Sequence, residues 1–266
     1  MGVVHAPGKL AAVTEPDVAG VGGEAGEGAL LAGQLDYYRA RAGEYDRWFR
    51  REGRYDRGEL ANAAWFAEAA EVRGALRKLA IDGAEVVELA GGTGIWTAEL
   101  VGRARSLVVV DGAAEMIAEN RRRLGSRAGD VEYVEADLFE WHPHRHFDAV
   151  VFCFFVSHVP DSRLGSFLDA VAGMLRPHGE VFFLDGLAEP SSTAADHVLP
   201  QPGDETMLRR LDDGREYRIV KRFRTNAELE SACRAAGLQV AVATTATYFQ
   251  YGIGRRAGAP HGAGEI

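Results

Sequence analysis

The fold of this chain is decided by nine residues, Val86 to Gly94, which read VVELAGGTG. The first five are typical of a buried strand, and the glycines that follow mark a tight turn. Helix-like sequence resumes at Trp96. At a turn from strand to helix, glycines let the backbone approach a ligand closely, and the helix N-terminus offers unpaired N–H groups. We therefore predict a ligand-binding turn at residues 91–94.

Around this turn, short apolar runs alternate with amphipathic helical stretches, which is the pattern of a parallel sheet covered on both faces. The predicted strands are 85–90, 106–110, 131–135, 147–153 and 179–184. The predicted helices are 34–51 and 62–79 before the first strand, then 96–103, 115–124 and 163–175. The fold class is therefore α/β and Rossmann-like, with a mostly parallel sheet and helices on both faces.

A different pattern follows this sheet. The polar connection 189–205 leads into 206–223, where Asp213-Gly214 between alternating segments predicts a hairpin turn that we expect to lie over the ligand site. A last helix, 226–236, and two strands, 238–245 and 247–251, close the chain.

Length and composition indicate one domain. The chain has 266 residues, of which 47% are hydrophobic and 26% charged, enough for one sizeable core. We place the domain at 34–254. Residues 1–33 and 255–266 are rich in glycine and alanine and are predicted to be disordered tails.

The charge and cysteine content restrict the partners. A net charge of −9 argues against broad binding to nucleic acid or to an anionic membrane. Cys153 and Cys233 are far apart and lack metal-type spacing, which favours reduced thiols and a cytoplasmic protein. His142, His144 and His146 alternate in a loop without a nearby cysteine, which is more typical of an exposed turn than of a metal site.

One acidic residue suggests which ligand occupies the turn. Asp111 ends the second predicted strand, where it can accept hydrogen bonds from both ribose hydroxyls of a nucleoside. A dinucleotide fingerprint would need a third glycine where Thr97 stands, and no phosphate-loop lysine is present. A nicotinamide oxidoreductase therefore remains only an alternative.

These features together resemble the class I S-adenosylmethionine (SAM)-dependent methyltransferases. The matching residues are Glu88, Gly91, Gly92, Gly94, Asp111, Asp137 and the strand 147–151. The resemblance implies a seven-stranded sheet, an N-terminal helical lid and SAM as cofactor. It also implies that the three glycines lie against the methionine part and that Asp111 holds the ribose.

The same resemblance assigns the adenine site to Met116, Asp137 and Leu138. For Met116 ordinary helix packing is an equal alternative, and acids such as Asp137 are common in loops. The remaining cofactor contacts that it implies are Trp96, Gly112 and Cys153.

A closer likeness is to small actinobacterial natural-product methyltransferases, including phosphonate O-methyltransferases. It rests on residues 37–42, 44–46, 94–97, 111–118, 157–161 and 213–221. In such enzymes the N-terminal helix closes over SAM, so Tyr38, Arg41 and Tyr45 are expected to contact the cofactor carboxylate or the acceptor. The alternative is that one or two of these tyrosines only pack the helix onto the domain.

The acceptor side is assigned to four residues. His158, at the carboxyl edge of the sheet, is a candidate base, with Tyr38 as a second catalytic candidate; the alternative is that His158 caps the loop before Pro160. Alignment of the Arg-Arg run on the phosphonate enzymes makes Arg209 the candidate for acceptor oxygens, and Tyr55 is a further candidate. A solvated hairpin face is the alternative for Arg209.

The sequence therefore predicts O-methylation of an acidic natural-product or antibiotic intermediate, such as a phosphonate or carboxylate. The insertion 48–64 and the polar stretch 190–202 depart from the phosphonate enzymes and leave the acceptor open. N- or C-methylation and a catalytically silent SAM-binding partner protein remain alternatives. We expect a small-molecule acceptor, no metal, and no nucleic-acid or membrane partner, and we leave a homodimer open.

Overall fold

The computed structural model describes residues 24–258. Its helices are α1 (Glu24–Arg41), α2 (Tyr45–Phe49), α3 (Glu59–Leu76), α4 (Thr97–Leu100), α5 (Ala114–Leu124), α6 (Asp161–Met174) and α7 (Asn226–Ala235). Its strands are β1 (Glu85–Leu89), β2 (Ser106–Asp111), β3 (Val131–Glu135), β4 (Phe147–Cys153), β5 (Leu175–Gly186), β6 (Thr206–Arg210), β7 (Glu216–Val220), β8 (Leu238–Thr244) and β9 (Phe249–Arg256).

Seven strands form one sheet in the order β3-β2-β1-β4-β5-β9-β8. The first five pair in parallel, and β9 runs antiparallel to both β5 and β8. The strand order reverses beside β1, and in open α/β sheets ligands bind at the carboxyl ends of the strands next to such a reversal. The predicted fold class is confirmed, and the reversal places the glycine turn after β1 at the expected ligand position.

The two faces of the sheet have separate cores. Val86 of β1 belongs to the cluster with Trp65 of α3, whereas its neighbour Val87 belongs to the cluster with Phe167 of α6. Because alternate residues of a strand point to opposite faces, a strand covered on both sides must be apolar throughout. This explains the continuous apolar runs from which the strands were predicted.

The β6–β7 hairpin is separate from the sheet and packs against α1. Gly214 adopts a left-handed conformation at the predicted turn, with φ of +88°. The Gln34 side chain accepts a hydrogen bond from Val220 N at 2.9 Å and donates one to the carbonyl of His158 at 3.2 Å. One side chain of α1 therefore joins the hairpin to the loop after β4.

The structure corrects the predicted domain boundaries. Helix α1 begins at Glu24, so the stretch 24–33 is helical and is not part of a tail; residues 1–23 lie outside the described range. The first predicted helix is interrupted after Arg41. At the other end β9 continues to Arg256, two residues past the predicted limit, and residues 259–266 are not described.

The extra helical turns of α1 exist because they have partners elsewhere in the fold. Glu27 accepts hydrogen bonds from Ser162 Oγ and from Arg163 Nε, the latter at 2.7 Å. Leu31 lines a cavity above the sheet. None of the helices described between residues 24 and 258 is long and apolar enough to cross a membrane.

Candidate functional site

The glycine turn after β1 is held in a conformation that needs small residues. Ala90, Gly92 and Gly94 all have positive φ angles, of 54°, 53° and 83°. A Cβ on Gly94 would lie 2.7 Å from the side chain of Asn120, which itself donates a hydrogen bond to Thr97 Oγ1 at 2.8 Å. The turn is therefore packed directly onto α5, and a side chain at Gly94 would displace Asn120.

Asp111, at the end of β2, is fixed by two backbone amides. Its two carboxylate oxygens accept hydrogen bonds from Gly92 N at 2.8 Å and from Ala113 N at 2.9 Å. Burial raises the pKa of Asp111 to about 6, although these hydrogen bonds act in the opposite direction. Each oxygen has a second lone pair, so the anchored carboxylate can still accept hydrogen bonds from a ligand.

A cavity of about 400 Å³ lies above the carboxyl edge of the sheet, under α1. This volume is within the range of small-molecule sites. Many of the residues predicted from the sequence line it: Tyr38, Tyr45, Gly92, Asp111, Gly112, Met116, Asp137, Leu138, Cys153 and His158. Further walls come from Leu31 and Leu35 of α1 and from Phe139 and Phe155. The cavity thus combines three acidic residues, Asp111, Asp137 and Glu140, with a largely apolar slot.

Four other predicted cofactor residues lie behind the wall of this cavity: Glu88, Gly91, Gly94 and Trp96. Burial raises the pKa of Glu88 to about 8. A Cβ on Gly91 would lie 2.3 Å from Val109, so this glycine allows the turn to contact β2. Trp96 packs in the core against Phe49. These residues support the turn.

A second, smaller cavity of about 50 Å³ adjoins the first. Both are lined by Tyr38, Tyr45, Phe154 and His158. The smaller one is also lined by aromatic residues, including Trp48 and Trp65, and by three cationic side chains, Arg41, Arg209 and Lys221. Arg41 therefore lies at the second cavity, whereas Tyr55 is buried but lines neither one.

The three cations are deeply buried, with exposed fractions of 6% for Arg41, 9% for Arg209 and 7% for Lys221. Lys221 Nζ has a carboxylate partner, Asp185, at 3.3 Å. Arg41 packs over the Tyr45 ring at 4.7 Å, and the Nε atoms of Arg41 and Arg209 have no hydrogen-bond partner among the described residues.

Within residues 24–258, neither arginine forms an ion pair. A buried charge without a partner is costly, so these positions favour an anionic ligand. The small cavity therefore has the charge of a site for a compact anion.

His158 is held in one neutral tautomer. Its Nδ1 lies 2.7 Å from the carbonyl oxygen of Val220, which can only accept, so Nδ1 carries the hydrogen. Nε2 then accepts a hydrogen bond from the Tyr38 hydroxyl at 2.9 Å. Burial, together with the nearby charge of Lys221, lowers the pKa of His158 to about 3. His158 thus lies where the sequence placed it, but as a weak base.

Several residues of the site were not predicted from the sequence, namely Gln34, Asn120, Asp185, His197 and Lys221. Asp185 had a usable signal, because it lies at the carboxyl end of β5 as Asp111 lies at the end of β2. His197 lies in an irregular segment and had none. In the described part of the chain, no group of three or more His, Cys, Asp or Glu side chains could hold a metal ion.

Comparison with known proteins agrees with this architecture. Residues 86–179 match a family described as a methyltransferase domain. The solved structure of DhpI in complex with SAM and HEP is 36% identical, with a TM-score of 0.67, and the match covers 85% of this chain and 97% of DhpI. The chain therefore shares its fold with a protein that was solved with SAM bound.

Two further matches are more distant. The ubiquinone/menaquinone biosynthesis C-methyltransferase UbiE of Enterobacter sp. (strain 638) is 32% identical over 151 residues, which are 52% of this chain. The match spans 58% of the length of that relative. A SAM-dependent methyltransferase from Clostridium acetobutylicum ATCC 824, at 16% identity and a TM-score of 0.58, shares the fold over 84% of this chain and 100% of its own.

Proposed function

Since the chain belongs to the class I SAM-dependent methyltransferases, we propose that it methylates an oxygen atom of a small acidic acceptor, such as a phosphonate or carboxylate. SAM is the cofactor. In this proposal SAM occupies the 400 Å³ cavity, with its ribose on Asp111, and the acceptor occupies the smaller cavity. Natural-product or antibiotic biosynthesis is the setting we propose, and the cytoplasm is the compartment.

One observation carries this proposal: two buried arginines without carboxylate partners, Arg41 and Arg209, line a small cavity that adjoins the cofactor cavity. Guanidinium groups bind carboxylate and phosphonate oxygens through two parallel hydrogen bonds. The likeness to phosphonate O-methyltransferases supports the same class of acceptor.

The chemistry asked of the protein is modest. Bound SAM supplies an electrophilic methyl group on a positively charged sulfur. The protein then has to orient the acceptor and exclude water, which the aromatic walls and α1 provide. A phosphonate or carboxylate is already an anion at neutral pH, so its oxygen needs no general base. The weak basicity of His158 fits such an acceptor better than a phenol or amine.

C-methylation is the second candidate, because UbiE is a C-methyltransferase. N-methylation and a silent SAM-binding partner protein also stay open. A carbon or nitrogen acceptor generally has to lose a proton, and the histidine that lines the small cavity, His158, is a weak base. The buried cations favour the acidic oxygen acceptor over these alternatives.

Strand β6 offers a matched pair of variants for the test. Arg209 faces the cavity, whereas Arg210 is exposed and bonds to Glu216. With an acidic acceptor, Arg209→Ala should raise KM at least about ten-fold, the value of one charge-assisted hydrogen bond, and leave SAM affinity unchanged. Arg210→Ala should behave like the wild type. An unchanged KM in Arg209→Ala would reject the acidic acceptor.

A further inference from the structure

In the part of the chain that the structure describes, the side chain of Arg209 is oriented by neutral groups only. Its Nη1 donates to Thr193 Oγ1 and lies 3.0 Å from His197 Nδ1. Both partners belong to the segment between β5 and β6. A carboxylate in either place would bind the guanidinium equally well but would neutralise its charge. The site therefore fixes Arg209 and keeps its positive charge available.

His197 stands between two arginines. On the other side of its ring, Nε2 lies 2.9 Å from Arg54 Nη2 and 3.0 Å from the backbone N of Arg210. Guanidinium and amide N–H groups can only donate, so an imidazolium with two N–H groups would not fit here. Because both donors point at Nε2, the neutral ring accepts there, and its Nδ1 carries the hydrogen. Nδ1 then donates to Thr193 Oγ1 at 3.2 Å, the same oxygen that accepts from Arg209 Nη1, so His197 orients Arg209 through Thr193.

The surrounding charges keep His197 neutral. Burial and the charges of Arg209 and Arg54 lower the pKa of His197 to about 3, although the charge of Asp196 and the hydrogen bond with the Arg210 backbone act in the opposite direction. Arg54 differs from Arg209 because it has its own carboxylate, Asp196, at 2.7 Å. The ion pair therefore lies on the outer side of His197, and the unpaired guanidinium lies on the cavity side.

We propose that His197 is a positioning residue, which orients Arg209 towards the acceptor anion while leaving the charge of Arg209 unpaired. This role rests on the proposed function, since it presumes that Arg209 holds the acceptor. It places one determinant of acceptor affinity in the stretch 190–202, which departs from the phosphonate enzymes that the chain resembles. His197 itself touches no acceptor atom in this role.

Two substitutions of nearly equal shape separate charge from geometry. His197→Asn offers Arg209 a neutral oxygen, and His197→Asp offers a carboxylate. The probe is methylphosphonate, titrated into the full chain loaded with S-adenosylhomocysteine and followed by tryptophan fluorescence, since Trp48 and Trp65 line the small cavity. His144→Asp, at an exposed histidine, is the control for the same change in charge.

We expect His197→Asn to bind methylphosphonate within about three-fold of the wild type, and His197→Asp at least about thirty-fold more weakly, as for the loss of a charged hydrogen-bond partner. His144→Asp should match the wild type, and all variants should keep their affinity for SAM. If His197→Asp binds methylphosphonate with wild-type affinity while Arg209→Ala does not bind it, the role of His197 is overturned but the proposed function stands. If Arg209→Ala also binds methylphosphonate with wild-type affinity, both the proposed function and the role of His197 are overturned.

Discussion

The Tyr38 hydroxyl donates a hydrogen bond to Nε2 of His158 over 2.9 Å, in the wall that the two cavities share. Tyr38 belongs to α1, which covers the cofactor cavity, and His158 follows the carboxyl end of β4. Because Nδ1 of His158 is also bonded, both ring nitrogens are occupied. The pair connects the helix to the sheet at the junction of the two sites.

From this pairing we expect His158 to be dispensable as a base. With an acidic acceptor, His158→Ala should keep kcat within about ten-fold of the wild type, which is less than the roughly hundred-fold or more that general-base catalysis contributes. The pKa of His158 is lowered to about 3, so the ring is neutral over the whole working range. The pH profiles of kcat for wild type and variant should therefore run parallel from pH 5 to 9.

Melting curves must show that His158→Ala is folded, since the side chain is buried. A limb near pH 6 to 7 that is present in the wild type and absent from the variant would contradict the account. It would show that His158 accepts a proton during turnover.

A second prediction concerns stability and Glu88. Burial raises the pKa of Glu88 to about 8, against 4.5 for an ordinary glutamate. The stability that this group contributes is therefore complete below pH 4.5 and is lost as pH rises through 8. Glu88→Gln is uncharged at every pH. Relative to this variant, the free energy of unfolding of the wild type should therefore fall as pH rises, by at most about 1.4 kcal/mol per pH unit.

Glu115→Gln, at an exposed position on α5, is the control and should follow the wild-type curve. Melting temperatures of the ligand-free proteins, measured from pH 5 to 8, decide the point. Parallel curves for the wild type and Glu88→Gln would mean that Glu88 is ionised in the folded protein.

A third prediction concerns the glycine turn. Gly94 and Gly102 have similar positive φ angles, 83° and 87°, but only at Gly94 would a Cβ meet another group, Asn120. Backbone strain should lower the free energy of unfolding of both Gly94→Ala and Gly102→Ala by about 1 kcal/mol or more. Only Gly94→Ala should also weaken SAM binding, by at least about ten-fold. Equal SAM affinity in the two variants, measured by calorimetry, would argue against the packing of the turn on α5.

A fourth prediction concerns α1 as a cover of the cofactor cavity. Glu27, in the first turns of α1, forms a partly exposed ion pair with Arg163 of α6. Glu27→Gln should raise the dissociation rate of S-adenosylhomocysteine about two- to five-fold, as expected for a surface ion pair. Glu132→Gln, which removes a comparable surface pair with Arg145, should have no effect in stopped-flow experiments. Equal rates in both variants would show that this contact does not hold the cover.

The sheet and the cofactor site could be predicted because the sequence patterns that mark them are local. Apolar runs mark the strands, and the glycine turn with Asp111 carries its own chemistry. The start of α1 could not be predicted in this way, because glycines at positions 26, 28 and 33 weaken the helical signal. Contacts such as Glu27 with Arg163 stabilise that stretch, and they exist only in the folded chain.

The acceptor side depends on which way each side chain faces. Arg209 and Arg210 are adjacent arginines that the sequence does not distinguish. The register of β6 with β7 buries Arg209 and leaves Arg210 exposed. The environment of His158 could not be predicted from the sequence either, because its partners lie far along the chain, at the β6–β7 hairpin. Val220 sets the tautomer of His158, and the charge of Lys221 lowers its pKa. Sequence therefore located the histidine but suggested the wrong strength for it as a base.

The most direct test of the account is release of S-adenosylhomocysteine by the wild-type chain when SAM is offered with a phosphonate, a carboxylate, a phenol or an amine. We expect saturable release with the phosphonate or the carboxylate, and a product methylated on an acidic oxygen. Turnover with only the phenol or the amine, or with none of the four, would contradict it.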